Sequence, residues 1–79
     1  MNVEVQLFAY LREEIAGLDR RGRKTVTLPD GAKAGELICA IGLTSGRYKL
    51  LVVNNVHSDE SAPLADGDRV AIFPAIAGG

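Results

Sequence analysis

The sequence ends in two glycines, Gly78 and Gly79, which follow Ile76 and Ala77. We expect Gly79 to be the C-terminal residue and to carry a free α-carboxylate. Because glycine lacks a Cβ atom and adopts most backbone conformations, such an end can enter a narrow cleft in another protein. The pair therefore predicts a chain whose reactive group is its own terminal carboxylate, activated by a partner.

The residues before the tail indicate how the carboxylate is presented. Asp66–Asp68 has a glycine at its centre and is typical of a tight turn, and residues 69–74 predict an apolar strand that a proline ends. We expect one domain over residues 1–74. Residues 75–79 should form a flexible tail, because they have too little bulk to pack firmly.

The chain itself offers little for catalysis. The single histidine, His57, lies beside Ser58 and Asp59, but the members of a catalytic triad must meet in space in a set geometry, which adjacency in sequence does not provide. One histidine and one cysteine are too few for a zinc site, and no glycine-rich loop has the spacing of a phosphate-binding loop. We expect no metal and no cofactor bound by this chain.

Composition indicates a small globular protein. The chain has 79 residues, 9 of them basic and 10 acidic, so its net charge of -1 favours no nucleic-acid partner. No apolar run reaches the roughly 18 residues of a membrane helix, and the N-terminal residues lack a secretory core, so we expect a cytoplasmic protein without membrane contact. The single cysteine, Cys39, lies in an apolar helical stretch and should be buried.

Alternation of apolar and polar residues predicts the first and last strands. Phe8 and Phe73 fall on the face opposite to the apolar row of their own strands. If the two strands are neighbours, the two rings should lie close together. The residues expected on the core face are Val3, Val5, Leu7, Val70 and Ile72.

Two helices are predicted, and one of them is strongly amphipathic. Apolar residues at i, i+3, i+4 and i+7 from Ala34 to Ile41 indicate the main helix. Its start lacks a good cap unless Asp30 serves as one, and Gly35 should weaken its first turn. A shorter helix is expected over residues 10–17, ending at Gly17.

Strands are also expected over residues 25–28 and 48–53, with a further short strand within residues 56–65. The order is then strand, helix, strand, helix, strand, short strand, strand. A small mixed sheet packed on one main helix would bury the apolar faces of both layers. The sequence therefore predicts an α+β fold.

The whole chain resembles the ubiquitin-like sulfur-carrier proteins, and among them most of all the small subunits of molybdopterin synthase. The resemblance rests on residues 8–13 (FAYLRE), 52–54 (VVN) and 63–79 (PLADGDRVAIFPAIAGG). The last segment is the most specific because of its length and its place at the end. The resemblance implies the β-grasp fold, which agrees with the predicted order of elements.

The resemblance also implies a mechanism in which this chain is a non-catalytic subunit. A ubiquitin-activating-like adenylyltransferase would use ATP to adenylate Gly79, and a sulfur donor protein would then make the thiocarboxylate. The large subunit of molybdopterin synthase would pass that sulfur to a pterin precursor. The resemblance places Phe8, Arg12, Phe73 and Pro74 at the interface with this large subunit.

The sequence departs from the family pattern in four places, one of which is the short link from Gly42 to Arg47. Ala75 stands where a second proline usually follows the final strand, so the root of the tail should be looser. Lys33 or Ala32 stands where a threonine often begins the main helix, which removes a cap. His57 stands where an apolar, partner-facing residue is common.

Other functions remain open on this pattern. A sulfur carrier for thiamine thiazole or cysteine synthesis would have the same tail, although residues 8–13 and the chain length favour molybdopterin. A ubiquitin-like protein modifier would share the activation step and then be joined to lysines. A β-grasp interaction module with an inert tail would be unaffected by the loss of Gly79. One phenylalanine ring could then simply cover the short helix or the sheet edge.

Overall fold

The computed structural model describes residues 1–44 and 46–75, and within them the chain forms five strands and two helices. Neither helix is long and apolar enough to cross a membrane. The order is the one expected, and β3 and β5 have the predicted bounds. In chain order the elements are β1 (Asn2–Leu7), α1 (Leu11–Glu14), β2 (Arg23–Thr27), α2 (Ala34–Ala40), β3 (Tyr48–Val53), β4 (Val56–Ser58) and β5 (Arg69–Pro74).

These strands form one mixed sheet in the order β2-β1-β5-β3-β4. β1 and β5 run parallel to each other at its centre, and the other neighbouring strands are antiparallel. The parallel pair places Glu4 beside Arg69 and Leu7 beside Ile72. A mixed sheet of this order, combined with one main helix, is the β-grasp fold, so the α+β prediction is confirmed.

The core forms between one face of the sheet and α2. The five predicted core residues of β1 and β5 are at most 1% exposed, and the α2 stripe from Ala34 to Ile41 is at most 8% exposed. Both sets belong to the same cluster of buried side chains. The strand and helix periodicities are therefore confirmed. The opposite face of the sheet does not contribute to this cluster and is called the open face below.

The helix α1 is shorter than the one expected over residues 10–17. It ends at Glu14, and Ile15 is already extended, with φ -115° and ψ 127°. Ile15 is buried, and its β-branched side chain favours this extended conformation. The prediction was wrong over its second half, because an apolar residue of an extended segment fell at helical spacing.

The edge strand β2 also differs from its prediction over residues 25–28. It begins at Arg23, which pairs with Gln6 of β1. Leu28 lies just beyond the strand, and its N–H donates to the carbonyl of Met1 at 2.8 Å. Backbone pairing with β1 sets these limits, so the strand begins two residues before its predicted start and ends one residue before its predicted end.

The start of α2 is capped partly by backbone carbonyls that are distant in sequence. The N–H of Ala34 donates to the carbonyl of Ala62 at 2.9 Å. This bond and a second one from Gly35, described next, satisfy first-turn N–H groups that have no partner within the helix, so the cap predicted to be lost is replaced. Asp30, the other candidate for a cap, lies instead 3.4 Å from the N-terminal amine of Met1. The carboxylate of Glu36 adds a local bond, because it accepts the N–H of Lys33 at 2.7 Å.

Gly35 belongs to the same arrangement. Its N–H donates to the carbonyl of Glu60 at 2.9 Å, and a Cβ atom at Gly35 would lie 3.3 Å from both that oxygen and the Cβ of Glu60. The hydroxyl of Tyr48 in turn donates to the Glu60 carboxylate. Partial burial, together with this carboxylate, raises the pKa of Tyr48 to about 12. Glycine thus permits a close approach that closes the core at the start of α2.

Cys39 is exposed, which contradicts the prediction that it is buried. The buried stripe of α2 includes Leu37 and Ile38, and a helix turns by about 100° per residue. Cys39 therefore points away from the sheet, although its neighbours in sequence are apolar.

We predict that Gly22→Ala strongly destabilises the fold. Gly22 has φ +76°, and a Cβ atom there would lie 2.5 Å from the carbonyl oxygen of Leu7. Gly31→Ala is the matched control, since Gly31 has φ +85° but open space around the new methyl. We expect a loss of about 1–2 kcal/mol for the control, from positive φ alone, and clearly more for Gly22→Ala, in urea unfolding. Equal losses would show that the backbone relaxes around the clash.

Candidate functional site

The two phenylalanines are stacked on the open face of the sheet. The ring centroids of Phe8 and Phe73 are 4.4 Å apart, and the ring planes differ by 4°. Both residues are of intermediate exposure. The two rings were predicted to lie close together because both fall on the face opposite to the apolar rows of their strands, and this is confirmed. The parallel pairing of β1 and β5 is the cause.

The stacked rings continue into an apolar patch across β3. Leu50 pairs with Phe73, and Val52 pairs with Ala71, so all four side chains share the open face. Each of the four is of intermediate exposure. A contiguous, partly exposed apolar surface of this kind is typical of an interaction site. The apolar patch, as the name is used below, consists of Phe8, Leu50, Val52, Ala71 and Phe73.

A charged cluster lies on the same face, toward the start of β1. The carboxylate of Glu4 is 3.5 Å from the guanidinium of Arg23 and 3.5 Å from that of Arg69. The carboxylate of Asp19 is also 3.5 Å from the guanidinium of Arg23, so the cluster pairs two cations with two anions. His57 is exposed on β4 and pairs with Val52, so a polar residue lies next to the apolar patch.

The two other residues predicted at the interface lie in different settings. The exposed Arg12 donates to the carbonyl of Arg20, and its side chain passes close to Gly22, so it holds the loop between α1 and β2. Pro74 is buried and pairs with Tyr48. Its side chain therefore belongs to the fold, where it ends β5, and it lies outside the apolar patch.

The root of the predicted tail is held at both polar backbone groups. The N–H of Ala75 donates to the carbonyl of Arg47 at 3.1 Å, and the hydroxyl of Tyr10 donates to the carbonyl of Ala75 at 2.5 Å. A proline at this position would lack that N–H. The looser root expected for Ala75 is thus corrected: hydrogen bonds restrain it. Ile76, Ala77, Gly78 and Gly79 lie outside the described residues.

Tyr10 and Arg47 were missed by sequence reasoning. The guanidinium of Arg47 pairs with the carboxylate of Glu14 and lies 5.4 Å from the centre of the Tyr10 ring. The hydrogen bond to Glu14 raises the pKa of Arg47 above its ordinary value. The partners of both residues lie far away in the chain, and those of the Tyr10 hydroxyl are backbone carbonyls, so no spacing in the sequence signals them.

No group of three or more metal-ligating side chains comes together among the residues that the structure describes. Within that part of the chain, the features available for binding are the apolar patch on the open face and the hydrogen-bonded backbone at Ala75.

Comparison with protein families matches residues 5–79 to the ThiS family. The chain therefore belongs to the ThiS family, and the resemblance to ubiquitin-like sulfur carriers is confirmed. Comparison with curated proteins gave no match.

Solved structures with the same fold cover nearly the whole chain. A Pyrococcus furiosus protein, described as subunit 1 of a molybdopterin converting factor, is 26% identical, with a TM-score of 0.73 over 96% of this chain and 99% of that one. SAMP1 from Haloferax volcanii is 25% identical, with a TM-score of 0.72 over the full length of both. A chain from a complex of subunits 1 and 2 of the Helicobacter pylori 26695 molybdopterin-converting factor, at 22% identity and a TM-score of 0.62 over both full lengths, has the same fold.

We predict a direct energetic coupling between the two stacked rings. In a double-mutant cycle of Phe8→Leu and Phe73→Leu, urea unfolding should give a coupling of about 0.5–1.5 kcal/mol, the range for stacked aromatic pairs. Phe8→Leu combined with Val56→Ala is the control, since Val56 is exposed on the edge strand β4. Additive losses for the two phenylalanines would contradict a stabilising stack.

Proposed function

We propose that this chain is a sulfur carrier whose Gly79 carboxylate is adenylated and then converted to a thiocarboxylate. The observation that best supports this is the family match, which runs to Gly79 and so includes both final glycines. The fold adds support because hydrogen bonds hold the backbone at Ala75, where the predicted tail begins.

The chemistry follows from the weakness of a carboxylate as an electrophile. Reaction of the Gly79 carboxylate with ATP, on a ubiquitin-activating-like adenylyltransferase, forms an acyl-adenylate and releases pyrophosphate. A persulfide of a sulfur donor protein displaces AMP, and a thiol of that system then cleaves the S–S bond to leave the thiocarboxylate. This chain needs no cofactor of its own for these steps, because its partners supply the catalytic groups.

We assign the sulfur to a pterin precursor in molybdopterin synthesis, with a large synthase subunit as the acceptor. Support comes from the two relatives described as molybdopterin converting factors, one of them in a complex with its subunit 2. The apolar patch around Phe8 and Phe73 would contact this large subunit, and Arg12 lies on the segment that follows Phe8. The setting for an ATP-dependent route of this kind is the cytoplasm.

A second candidate function is protein modification. It is favoured by the likeness to SAMP1 from Haloferax volcanii. A second similar structure from the same organism is described as small archaeal modifier protein 1. A modifier would form an amide with lysines of other proteins. Incubation with lysate and ATP, followed by a search for Gly79–lysine isopeptides, distinguishes a protein modifier from a sulfur carrier. Sulfur carriers for thiazole or cysteine synthesis would differ from the proposed one in the enzyme that accepts the sulfur.

We predict that deletion of Gly79 abolishes thiocarboxylate formation without unfolding the protein. With the activating enzyme, ATP and sulfur donor, intact-mass spectrometry of the wild type should show a gain equal to the exchange of one oxygen for one sulfur. The truncated chain should show none, since Gly78 would carry the carboxylate one residue short of the catalytic centre. Thermal unfolding is the control for folding. The same mass gain in the truncated chain would show that sulfur transfer does not need a carboxylate at the position of Gly79.

We predict that Phe73→Ala weakens binding to the large subunit by about tenfold or more, as expected for an aromatic anchor of an interface. Calorimetric titration measures the affinity, and the melting temperature of the free chain should fall only by the few degrees that loss of the ring stack explains. Val56→Ala is the matched control, because Val56 is exposed (63%) and pairs with Val53 on the other face of the sheet. A large fall in melting temperature with unchanged affinity would make Phe73 a core residue.

A further inference from the structure

Three segments of the chain meet at Ala75. They are the end of β5, the start of α1 at Tyr10, and Arg47 just before β3. The Tyr10 hydroxyl lies 2.5 Å from the carbonyl oxygen of Ala75 and 3.2 Å from that of Arg47. Because a tyrosine hydroxyl has a single proton to donate, the shorter contact identifies Ala75 as its main acceptor.

We propose that Tyr10 is a positioning residue that sets the direction in which the chain leaves the sheet after Ala75. This inference rests on the proposed function, since direction matters only if the residues beyond Ala75 must enter a partner's cleft. With its N–H bonded to Arg47 and its carbonyl bonded to Tyr10, the peptide groups on both sides of Ala75 are oriented.

The ring of Tyr10 is itself held in place. The Arg47 guanidinium lies 5.4 Å from the ring centre, and its ion pair with Glu14 ties it back to α1. A cation over an aromatic face is attracted by the ring quadrupole. Tyr10 is nonetheless 37% exposed, so it is not needed to fill the core. An exposed tyrosine whose ring has a cation–π contact and whose hydroxyl is bonded to backbone fits a positioning role better than a packing role.

Holding Ala75 has a large effect at the end of the tail. Four residues follow Ala75 in the sequence, and a fully extended chain of that length spans at most about 14 Å. A change of direction at the root would therefore displace the terminal carboxylate by several ångströms. Fixing the root lowers the ordering cost of placing that carboxylate in a partner's active site, which is the advantage of preorganisation.

The test is Tyr10→Phe, which keeps the ring over Arg47 and removes only the hydroxyl. Amide hydrogen exchange by NMR reports on the root directly, and we expect exchange at Ala75 to be about fivefold faster, the factor for one hydrogen bond. With the activating enzyme and ATP, the KM for the carrier should rise by a similar factor while kcat is unchanged, because uniform binding is lost.

Tyr48→Phe is the matched control. It also removes a tyrosine hydroxyl, but that hydroxyl bonds to Glu60 at the start of α2. We expect both Ala75 exchange and the KM to stay as in the wild type. If the effect came from a general loss of stability, Tyr48→Phe and Tyr10→Phe would both raise the exchange rate at Ala75 and the KM.

The outcomes separate cleanly. Faster exchange at Ala75 with a raised KM in Tyr10→Phe alone supports the proposal. Unchanged exchange at Ala75, or faster exchange with wild-type KM, overturns it. If the wild-type chain is not adenylated at all, the proposed function fails, and the exchange result still decides whether Tyr10 anchors the root.

Discussion

The parallel pairing of β1 with β5 is the constraint on which the remaining structure depends. It joins the two ends of the chain at the centre of the sheet and aligns Leu7 with Ile72. This register stacks Phe8 on Phe73 one step further along. It also brings the end of β5 next to Tyr10, which begins α1. The apolar patch and the anchored root are thus two results of one strand pairing.

Much of this arrangement follows from local pattern. Alternation and helical spacing identify the core faces of β1, β5 and α2, because burial on one side of an element imposes a period on the sequence. The two phenylalanines could be paired for the same reason, once the two strands were taken as neighbours. Pattern failed at Ile15 and Cys39, where hydropathy of a short stretch was read without knowing which way each side chain would point.

Hydrogen bonds between individual groups that are far apart in the sequence could not be predicted. The cap of α2 comes from the carbonyls of Glu60 and Ala62, and any residue type offers a carbonyl. The bond from Tyr10 to Ala75 spans 65 positions and has a backbone acceptor, so neither residue type announces it. For Pro74, the residue type correctly predicted that the strand ends there. Its burial could not be predicted, because it depends on the residues that surround it.

The central place of β5 has a consequence for biosynthesis. Because β5 lies between β1 and β3, a nascent chain that has not yet released it from the ribosome holds two separate hairpins, β2-β1 and β3-β4. Isolated two-stranded pairs are marginally stable in water. The domain can therefore close only after residue 74 has emerged from the ribosome. A chain that stops before β5 would hold only these two hairpins, so it should remain unfolded and open to proteolysis.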